Sequence, residues 1–197
     1  MTLAERVLRV TGGDLRGRRV HMPRGGKVRP AGGRVREAIF NLLGHHLHGL
    51  RVLDLYAGSG ILGIEALSRG AAHAVFVEKD PAVAAVLARN LAGLDLTGRT
   101  EIIRQDVNRF LKNMEPPGGK PFELVFLDPP FSLGLALEGL TLLQAGPWLA
   151  PGARVVVKHG AGDDLAAAPP GLERIRWREY GSTHVSLFLS TPPHSAG

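Results

Sequence analysis

Cysteine is absent from this chain of 197 residues. Its absence excludes disulfide bonds, iron–sulfur clusters and zinc sites built from thiolates, and it fits a reducing compartment. Long apolar runs are missing too, since no segment approaches the length that spans a bilayer and the first residues hold no apolar signal core. We therefore expect a cytoplasmic protein that makes no use of a membrane. The length and the 44% of hydrophobic residues suffice for one globular domain.

Positive charge is concentrated at the start of the chain. Residues 1–40 hold 10 Lys or Arg against 3 Asp or Glu, whereas residues 41–197 hold 14 against 15. A general preference for Arg over Lys, here 19 against 5, would spread through the whole chain. A solvated basic face is the simplest alternative. We favour contact with nucleic acid, because a localised basic arm is typical of surfaces that bind a phosphate backbone.

The first fifth of the chain predicts a hairpin followed by a helix. Residues 6–10 and 18–22 flank a glycine-containing turn and are typical of two short antiparallel strands. A flexible basic loop, residues 23–30, comes next. Apolar residues then recur at helical spacing, which predicts an amphipathic helix over about 33–47.

From residue 50 onward, strands and helices alternate. This alternation predicts a mostly parallel sheet covered on both faces by helices. We expect its strands at residues 51–54, 74–78, 100–104, 123–127 and 153–158, with Pro151-Gly152 as the turn before the last of them. Two alternating runs, 172–179 and 184–190, predict a closing antiparallel hairpin. Residues 191–197 are expected to form a disordered tail.

The motif Asp128-Pro129-Pro130-Phe131 follows the predicted buried strand 123–127. Its two prolines force an extended turn and donate no backbone N–H. A carboxylate, the Pro129 carbonyl and an aromatic ring therefore meet at the carboxyl end of a strand, where open α/β sheets bind ligands. Two acceptors and a stacking ring suit a planar base that carries an exocyclic amine. The motif predicts a methyltransferase that acts on a nucleobase amino group.

A glycine turn follows the first strand of the alternating region. Gly58, Gly60 and Gly63 satisfy the dinucleotide fingerprint, so an NAD-dependent oxidoreductase is an alternative. Asp54 ends the strand just before these glycines, where a carboxylate would face the pyrophosphate of NAD. S-adenosylmethionine instead carries an ammonium and a sulfonium, which favour a nearby carboxylate. We favour this contact for Asp54 over its alternative, a carboxylate that caps a helix or stabilises the loop.

Two further acidic residues follow predicted strands. Glu78 comes 18 residues after Gly60, the spacing expected for a carboxylate that binds both ribose hydroxyls. Asp106 is placed either to accept from an adenine amine or to cap the next helix, and the sequence favours neither. Together with Asp54 and Asp128, these residues predict a row of carboxylates along one edge of the sheet.

Other polar clusters carry weaker signals. Three histidines near the first helix fit no zinc-binding spacing, so we expect no metal site: His45, His46 and His48. Three arginines alternate along the penultimate strand and indicate a solvated edge or, second, an RNA contact: Arg174, Arg176 and Arg178.

These motifs together resemble the bacterial RsmD-like methyltransferases over about residues 8 to 190. The matching segments are Val10-Thr11-Gly12-Gly13, Arg16-Gly17-Arg18, Arg29-Pro30, Arg34 to Asn41, Asp54 to Gly60, Glu65 to Ala71, Val77 to Asp80, Asp128 to Phe131 and Tyr180-Gly181-Ser182-Thr183. The resemblance implies a Rossmann-like class I methyltransferase fold, with a seven-stranded, mostly parallel sheet and a closing antiparallel hairpin. It divides the chain into an RNA-contacting hairpin arm (1–30), a methyltransferase domain (31–190) and the tail (191–197).

The resemblance also implies the reaction and the site. The family transfers a methyl group from S-adenosylmethionine to the exocyclic N2 amine of a guanine in 16S ribosomal RNA, and we expect a monomer that acts on this RNA or on the small subunit. The implied catalytic residues are Asp128, Pro129, Pro130 and Phe131. The implied cofactor-binding residues are Asp54, Tyr56, Ala57, Gly58, Ser59, Gly60, Glu78, Lys79, Asp106 and Val107. The expected RNA-binding residues are Arg16, Arg18, Arg19, Arg29, Arg34 and Arg36.

The motif itself does not separate guanine from adenine, so an adenine-amino methyltransferase on RNA or DNA remains an alternative. A non-catalytic RNA-binding factor is another.

Three positions depart from the family pattern: Phe131 stands where Tyr is usual, Ala31-Gly32-Gly33 replaces polar residues before Arg34, and Lys158-His159 replaces an acid at the end of the fifth strand. The last departure leaves the role of position 158 open.

Overall fold

The computed structural model describes residues 6–23, 32–44, 47–130, 134–163, 165–166 and 168–191. The strands are β1 (Val7–Arg9), β2 (Arg19–His21), β3 (Arg51–Leu55), β4 (His73–Val77), β5 (Thr100–Ile103), β6 (Phe122–Leu127), β7 (Leu149–Gly160), β8 (Leu172–Tyr180) and β9 (Thr183–Ser190). The helices are α1 (Gly33–Leu43), α2 (Ile61–Ser68), α3 (Pro81–Gly93), α4 (Val107–Asn113) and α5 (Leu135–Ala145). None of these helices has the length and apolar character that a membrane crossing requires.

Seven strands form one sheet in the order β5-β4-β3-β6-β7-β9-β8. The first five of these run parallel, and β9 pairs antiparallel with both β7 and β8. The predicted seven-stranded sheet with its closing hairpin is confirmed. From β3 the chain adds β4 and β5 toward one edge of the sheet. It then crosses back to place β6 on the opposite side of β3. A crevice therefore opens beyond the carboxyl ends of β3 and β6, which is the usual ligand position in such sheets.

Helices cover both faces of the sheet, as the alternation predicts. On one face, α1, α2, α3 and the β1–β2 hairpin pack around side chains such as Phe76 and Phe126. On the other face, α4 and α5 pack around a second apolar cluster that includes Phe110 and Trp148, whose ring centroids are 4.6 Å apart. Strands buried on both sides explain why their sequences read as continuous apolar runs.

The β1–β2 hairpin docks on the end of α2 and α3. Val10 and Val20 are buried in the first core cluster, and the Leu15 amide donates to Ser68 Oγ over 2.9 Å. Gly13 has a φ of 76°, and a Cβ at this position would come within 1.8 Å of the Ser68 carbonyl oxygen. Only glycine permits this close approach. The hairpin thus shares its core with the rest of the molecule.

A buried group of charged side chains ties the hairpin and α1 to α2. Glu65 Oε1 accepts from Arg36 Nε over 3.1 Å and from the backbone N and Oγ1 of Thr11 over 2.6 and 2.8 Å. Glu65 Oε2 accepts from Arg69 Nη2 over 3.3 Å. We call these four residues the Glu65 cluster. The prediction that Arg36 binds RNA is wrong, because its side chain is buried and its Nη2 donates to the Arg9 carbonyl over 2.7 Å.

Two element boundaries differ from the expected ones. Helix α1 ends at Leu43 because Gly44 takes a φ of 71°, several residues before the predicted end. Strand β7 begins at Leu149 and runs through Pro151-Gly152, which was predicted as a turn. Its pairing with β6 shifts register between Phe122 and Leu124, and such an irregularity accommodates a proline within a sheet. Several predicted features lie outside the described residues: the basic loop from residue 24 onward, the histidines His45 and His46, and the tail beyond Thr191.

Candidate functional site

Four carboxylates lie along one edge of the sheet, as the sequence predicts. Asp54 is the penultimate residue of β3, and Glu78, Asp106 and Asp128 follow β4, β5 and β6. These strands are parallel and adjacent, so their carboxyl ends meet at the same edge. The glycine loop that joins β3 to α2 stands over the middle of this row.

The glycine loop is held by hydrogen bonds from both sides. The Gly58 amide donates to Glu78 Oε2 over 3.0 Å, and the Ser59 carbonyl accepts from Asn90 Nδ2 over 3.0 Å. Gly60 precedes α2 with a φ of 81°, and a Cβ there would come within 2.3 Å of Leu87 Cδ1. The loop therefore packs directly on α3, with Ala57 and Ser59 both buried.

Asp54 is buried beneath this loop. Its Oδ2 accepts from the Gly63 amide over 2.9 Å, and Asp54 is only 1% exposed. Burial raises the pKa of Asp54 well above its usual value, although the Gly63 hydrogen bond lowers it, and the nearby charges of Asp128 and Glu78 raise it further. The observed contact is the loop-stabilising one, the alternative that we ranked second from the sequence. Direct contact with a cofactor stays a prediction.

Glu78 is oriented by two backbone amides. Its Oε2 accepts from Gly58, and its Oε1 accepts from the Asp80 amide over 2.9 Å. The residue is half-buried. A carboxylate fixed in this way is ready to accept further hydrogen bonds without reorganising.

Asp106 is the N-cap of α4. Its Oδ1 accepts from the Asn108 and Arg109 amides over 3.1 and 3.3 Å, so the capping role that the sequence left open is observed. Lys79 Nζ lies 4.0 Å from Asp106 Oδ2, and both side chains are exposed. Val107 is buried in the second core cluster. The second carboxylate oxygen of Asp106 is the one near Lys79 and makes none of the capping hydrogen bonds.

Tyr56 has an uncommon backbone conformation between β3 and the glycine loop. Its φ is 59°, a left-handed value that few residues other than glycine adopt. Burial, together with the negative charges of Asp106 and Glu138, raises the pKa of Tyr56 to about 12. Strained residues of this kind cluster at ligand sites.

Asp128 forms an ion pair with Lys158 from the neighbouring strand β7. Lys158 Nζ donates to Asp128 Oδ2 over 2.6 Å and also contacts Oδ1. The side chain of Lys158 is 6% exposed, whereas that of Asp128 is 20% exposed. Burial raises the pKa of Asp128, and Lys158 opposes this rise. Pro129 is buried and Pro130 is exposed, while Phe131 lies outside the described residues.

A basic groove lies between the β1–β2 hairpin and α3. Its cavity, of about 380 Å³, is lined by four arginines: Arg9, Arg18, Arg19 and Arg89. We call it the arginine groove. Asn90 links it to the glycine loop, because its Oδ1 accepts from the His21 amide over 2.9 Å while its Nδ2 reaches the Ser59 carbonyl.

Of the arginines predicted to bind RNA, two line this groove, Arg18 and Arg19. Arg16 and Arg34 are exposed outside it, and Arg29 lies outside the described residues. In the part of the chain that the structure describes, no three His, Asp or Glu side chains form a group that could hold a metal ion.

Sequence reasoning assigned no role to four residues that form the site or the cluster behind it, although it noted position 158 as a departure from the family pattern: Glu65, Arg89, Asn90 and Lys158. Two of them had a local signal. Asn90 stands between buried apolar residues of α3, and Lys158 follows the apolar run of β7, so each is a polar residue on an apolar face. A polar residue on a buried face needs a hydrogen-bond or charge partner, so this pattern predicts a specific contact. Glu65 and Arg89 resemble ordinary surface residues of a helix until their neighbours are known.

Known proteins resemble this chain along nearly its whole length. The family model described as conserved hypothetical protein 95 matches residues 8–189. The ribosomal RNA small subunit methyltransferase D of Escherichia coli strain K12 is 37% identical over 181 residues, which is 92% of this chain and 89% of the relative.

Solved structures give the same result for the fold. The structure of yhhF from Escherichia coli, a candidate methyltransferase, has a TM-score of 0.84 at 35% identity and covers 94% of this chain and 99% of its own. An RNA methyltransferase from Salinibacter ruber, solved with S-adenosyl-L-homocysteine, has a TM-score of 0.64 at 18% identity over 85% of this chain and 97% of its own. The second similarity shows the shared fold alone.

Proposed function

The chain belongs to the RsmD-like methyltransferase family, and from this premise we propose that it transfers a methyl group from S-adenosylmethionine to the exocyclic N2 amine of a guanine in 16S ribosomal RNA. The observation that carries the proposal is the Asp128 carboxylate, held beside the Pro129 turn at the edge of the sheet where the glycine loop and Glu78 also lie. We further propose that the protein acts in the cytoplasm, as a monomer, on this RNA or on the small subunit.

The residues at the sheet edge fit S-adenosylmethionine. Glu78 offers a fixed carboxylate for ribose hydroxyls, and the exposed Asp106 carboxylate follows the next strand with only one oxygen engaged by backbone amides. At Gly58 an added Cβ would have a single neighbour within 4 Å, the Tyr56 carbonyl oxygen at 3.9 Å, so the loop leaves space for a ligand. We propose that these three residues, with Tyr56 and Lys79 beside them, hold the cofactor. When bound, it supplies an electrophilic methyl group on a positively charged sulfur.

In the proposed mechanism, the protein positions the target amine. Asp128 and the Pro129 carbonyl accept its two N–H groups, and Phe131 stacks on the base. These contacts orient the lone pair of the nitrogen for attack, and Asp128 accepts the proton that the amine releases. Because the methyl donor is already reactive, holding the amine in line with it supplies much of the acceleration. The base must be unstacked to reach the site, as is usual for enzymes that modify bases.

The arginine groove supports RNA as the substrate. Arg9, Arg18 and Arg19 come from the hairpin, and Arg89 comes from the helix that follows Glu78. Their guanidinium groups suit the phosphodiester backbone, which gives most of the affinity of sequence-independent RNA contacts. We propose that Arg16, Arg34 and Arg29 extend this surface.

The test is methyl transfer from labelled S-adenosylmethionine to small ribosomal subunits that lack native modification, followed by analysis of the nucleosides. Label in N2-methylguanosine is the expected result. Subunits that are already modified serve as the control and should take up little label. Label in methyladenosine would retain the mechanism and overturn the base assignment, since the two acceptors suit either amine.

A binding measurement separates the oxidoreductase alternative, which rests on Gly58, Gly60 and Gly63. S-adenosylhomocysteine should raise the melting temperature, and NAD at the same concentration should leave it unchanged. The opposite pattern would contradict the proposal. Affinity for RNA without turnover would favour the non-catalytic RNA-binding factor.

A further inference from the structure

Lys158 is a buried ammonium at the edge of the sheet. It lies in β7, which pairs in parallel with β6 so that Val157 is level with Leu127, and this register places Lys158 beside Asp128. The whole residue is 5% exposed. A buried ammonium is costly unless it is paired and hydrogen-bonded, so the contact with Asp128 is a strong constraint on both side chains.

Three charged residues share one face of the sheet here. Val52, Phe126 and Val156 belong to the same core cluster on the side of α1, α2 and α3. Side chains two residues further along each strand lie on the same face, and these are Asp54, Asp128 and Lys158. Strands β3, β6 and β7 are neighbours, so the order across the sheet is carboxylate, carboxylate, ammonium.

From this arrangement we propose that Lys158 is a positioning residue that keeps the Asp128 carboxylate ionised and fixed while it accepts the N–H of the target amine. The inference rests on the proposed function and names a residue that the catalytic motif does not include. A carboxylate has about four lone-pair directions. Those not engaged by Lys158 remain for the substrate, on the part of Asp128 that is exposed.

Burial explains why the Asp128 carboxylate needs this partner. Burial raises the pKa of Asp128, and Lys158 is the group that lowers it. Asp54 on β3 carries a like charge whose interaction with Asp128 raises the pKa of Asp54, and Glu78 after β4 acts on Asp54 in the same sense. Without Lys158, the Asp128 carboxyl would keep the burial that raises its pKa and lose the ammonium that lowers it. Protonated Asp128 would present a donor where the amine requires an acceptor.

The first experiment compares the pH dependence of methyl transfer in Lys158→Met and in the wild type. An opposite charge at this distance shifts a carboxyl pKa by about one to three units. The acidic limb of kcat/KM in Lys158→Met should therefore move to higher pH by about one to three units, with activity recovering at alkaline pH. Lys158→Arg should restore a limb close to that of the wild type. Lys120→Met, which removes an exposed ammonium at the opposite end of β6, is the matched control and should change nothing.

Overlap of the Lys158→Met and wild-type profiles would overturn the inference. Binding of S-adenosylhomocysteine, measured by calorimetry, should persist in the variant, because the proposed cofactor contacts lie on other strands.

A second experiment uses only the wild-type protein, without RNA or cofactor, so it decides even where Lys158→Met fails to fold. NMR follows the 13C signal of the Asp128 carboxyl and the 15N signal of Lys158 Nζ through a pH titration. Both signals should move with the same midpoint. A Lys158 signal that ignores the Asp128 titration would overturn the inference.

The two proposals fail in different ways. If wild-type protein transfers no methyl group to small subunits but the two NMR signals titrate together, the proposed function is wrong and the ion pair still stands. If transfer occurs and the Lys158→Met profile is unchanged, the function stands and the role of Lys158 is wrong.

Discussion

Two carboxylates in this molecule, Glu65 and Asp128, are paired with cations, but their surroundings differ. The Glu65 side chain is fully buried and receives donors from Thr11, Arg36 and Arg69, with both oxygens engaged. The Asp128 side chain is 20% exposed at the crevice and is paired with Lys158. Burial raises the pKa of Asp128 in spite of this pair.

This difference separates a charged group with a structural role from one with a functional role. A buried carboxylate whose lone pairs are taken by protein donors has no capacity left for a ligand, and its removal leaves unpaired cations behind. A carboxylate that opens onto a crevice and has a shifted pKa can still accept hydrogen bonds and a proton. The Glu65 cluster therefore holds the hairpin, while the Asp128–Lys158 pair is suited to chemistry.

Breaking the Glu65 cluster should have the largest effect on stability. Glu65→Ala leaves the guanidinium of Arg36 buried without its carboxylate, which typically costs about 3–5 kcal/mol. For a chain of this size the melting temperature should fall by on the order of 10 °C. Glu37→Ala, on the exposed side of α1, is the control and should change the free energy of unfolding by less than about 0.5 kcal/mol. Equal melting temperatures for the two variants would show that the cluster is not structural.

Substitution of Asp128 should affect catalysis rather than stability. Asp128→Asn keeps the shape of the side chain but weakens its capacity to accept a hydrogen bond and a proton. We expect kcat to fall by about 100-fold or more, with the affinity for S-adenosylhomocysteine unchanged in calorimetry. Asp95→Asn, an exposed position with a φ of 58° that asparagine tolerates, should keep full activity. Full activity in Asp128→Asn would remove the central support for the proposed mechanism.

Two arginines differ in the same way, since Arg36 is buried in the Glu65 cluster and Arg89 lines the arginine groove. Arg89→Ala should weaken binding to small subunits several-fold. It should also reduce the slope of log affinity against log salt by about 0.7–0.9 for each phosphate contact that is lost. Its melting temperature should stay at the wild-type value, whereas Arg36→Met should lower the melting temperature.

Arg109→Ala, on α4 at the other face of the sheet, is the control for RNA binding. An unchanged salt slope in Arg89→Ala would argue against the groove as an RNA surface.

The smallest expected effect concerns Asp54, whose pKa burial raises above its usual value. A raised pKa means that the folded protein binds this proton more tightly than the unfolded chain. The stabilising contribution is therefore complete below the unfolded pKa of about 3.9 and is lost as the pH rises through the folded value. Asp54→Asn keeps an oxygen for the Gly63 amide and has no proton to lose.

The melting temperature of Asp54→Asn should accordingly rise relative to that of the wild type as the pH increases from about 4 to 8. Differential scanning calorimetry at several pH values measures this difference. Asp95→Asn should show no such trend. A difference that shrinks with rising pH would contradict the assigned direction of the pKa shift.

Much of the fold was predictable because its signals are local. The apolar runs of β3, β4 and β6, the helices between them and the closing hairpin β8–β9 follow from spacing along the chain. The placement of Asp54, Glu78, Asp106 and Asp128 at one edge followed as well, because parallel strands align their carboxyl ends. The end of α1 and the start of β7 were misjudged, since Gly44 and Pro151-Gly152 took conformations that depend on packing against other elements.

Local sequence patterns account for the order of strands and helices, the row of carboxylates, the Asp-Pro-Pro-Phe motif and the basic start of the chain. Which charged side chains are buried, and which partners they have, depends on the tertiary packing. Arg36 meets Glu65 across 29 residues of sequence, and Lys158 meets Asp128 across 30. Periodicity reports the face on which a side chain lies, but the pKa and the role of a charged group depend on its solvation and its partners. Those are set only when distant segments pack together.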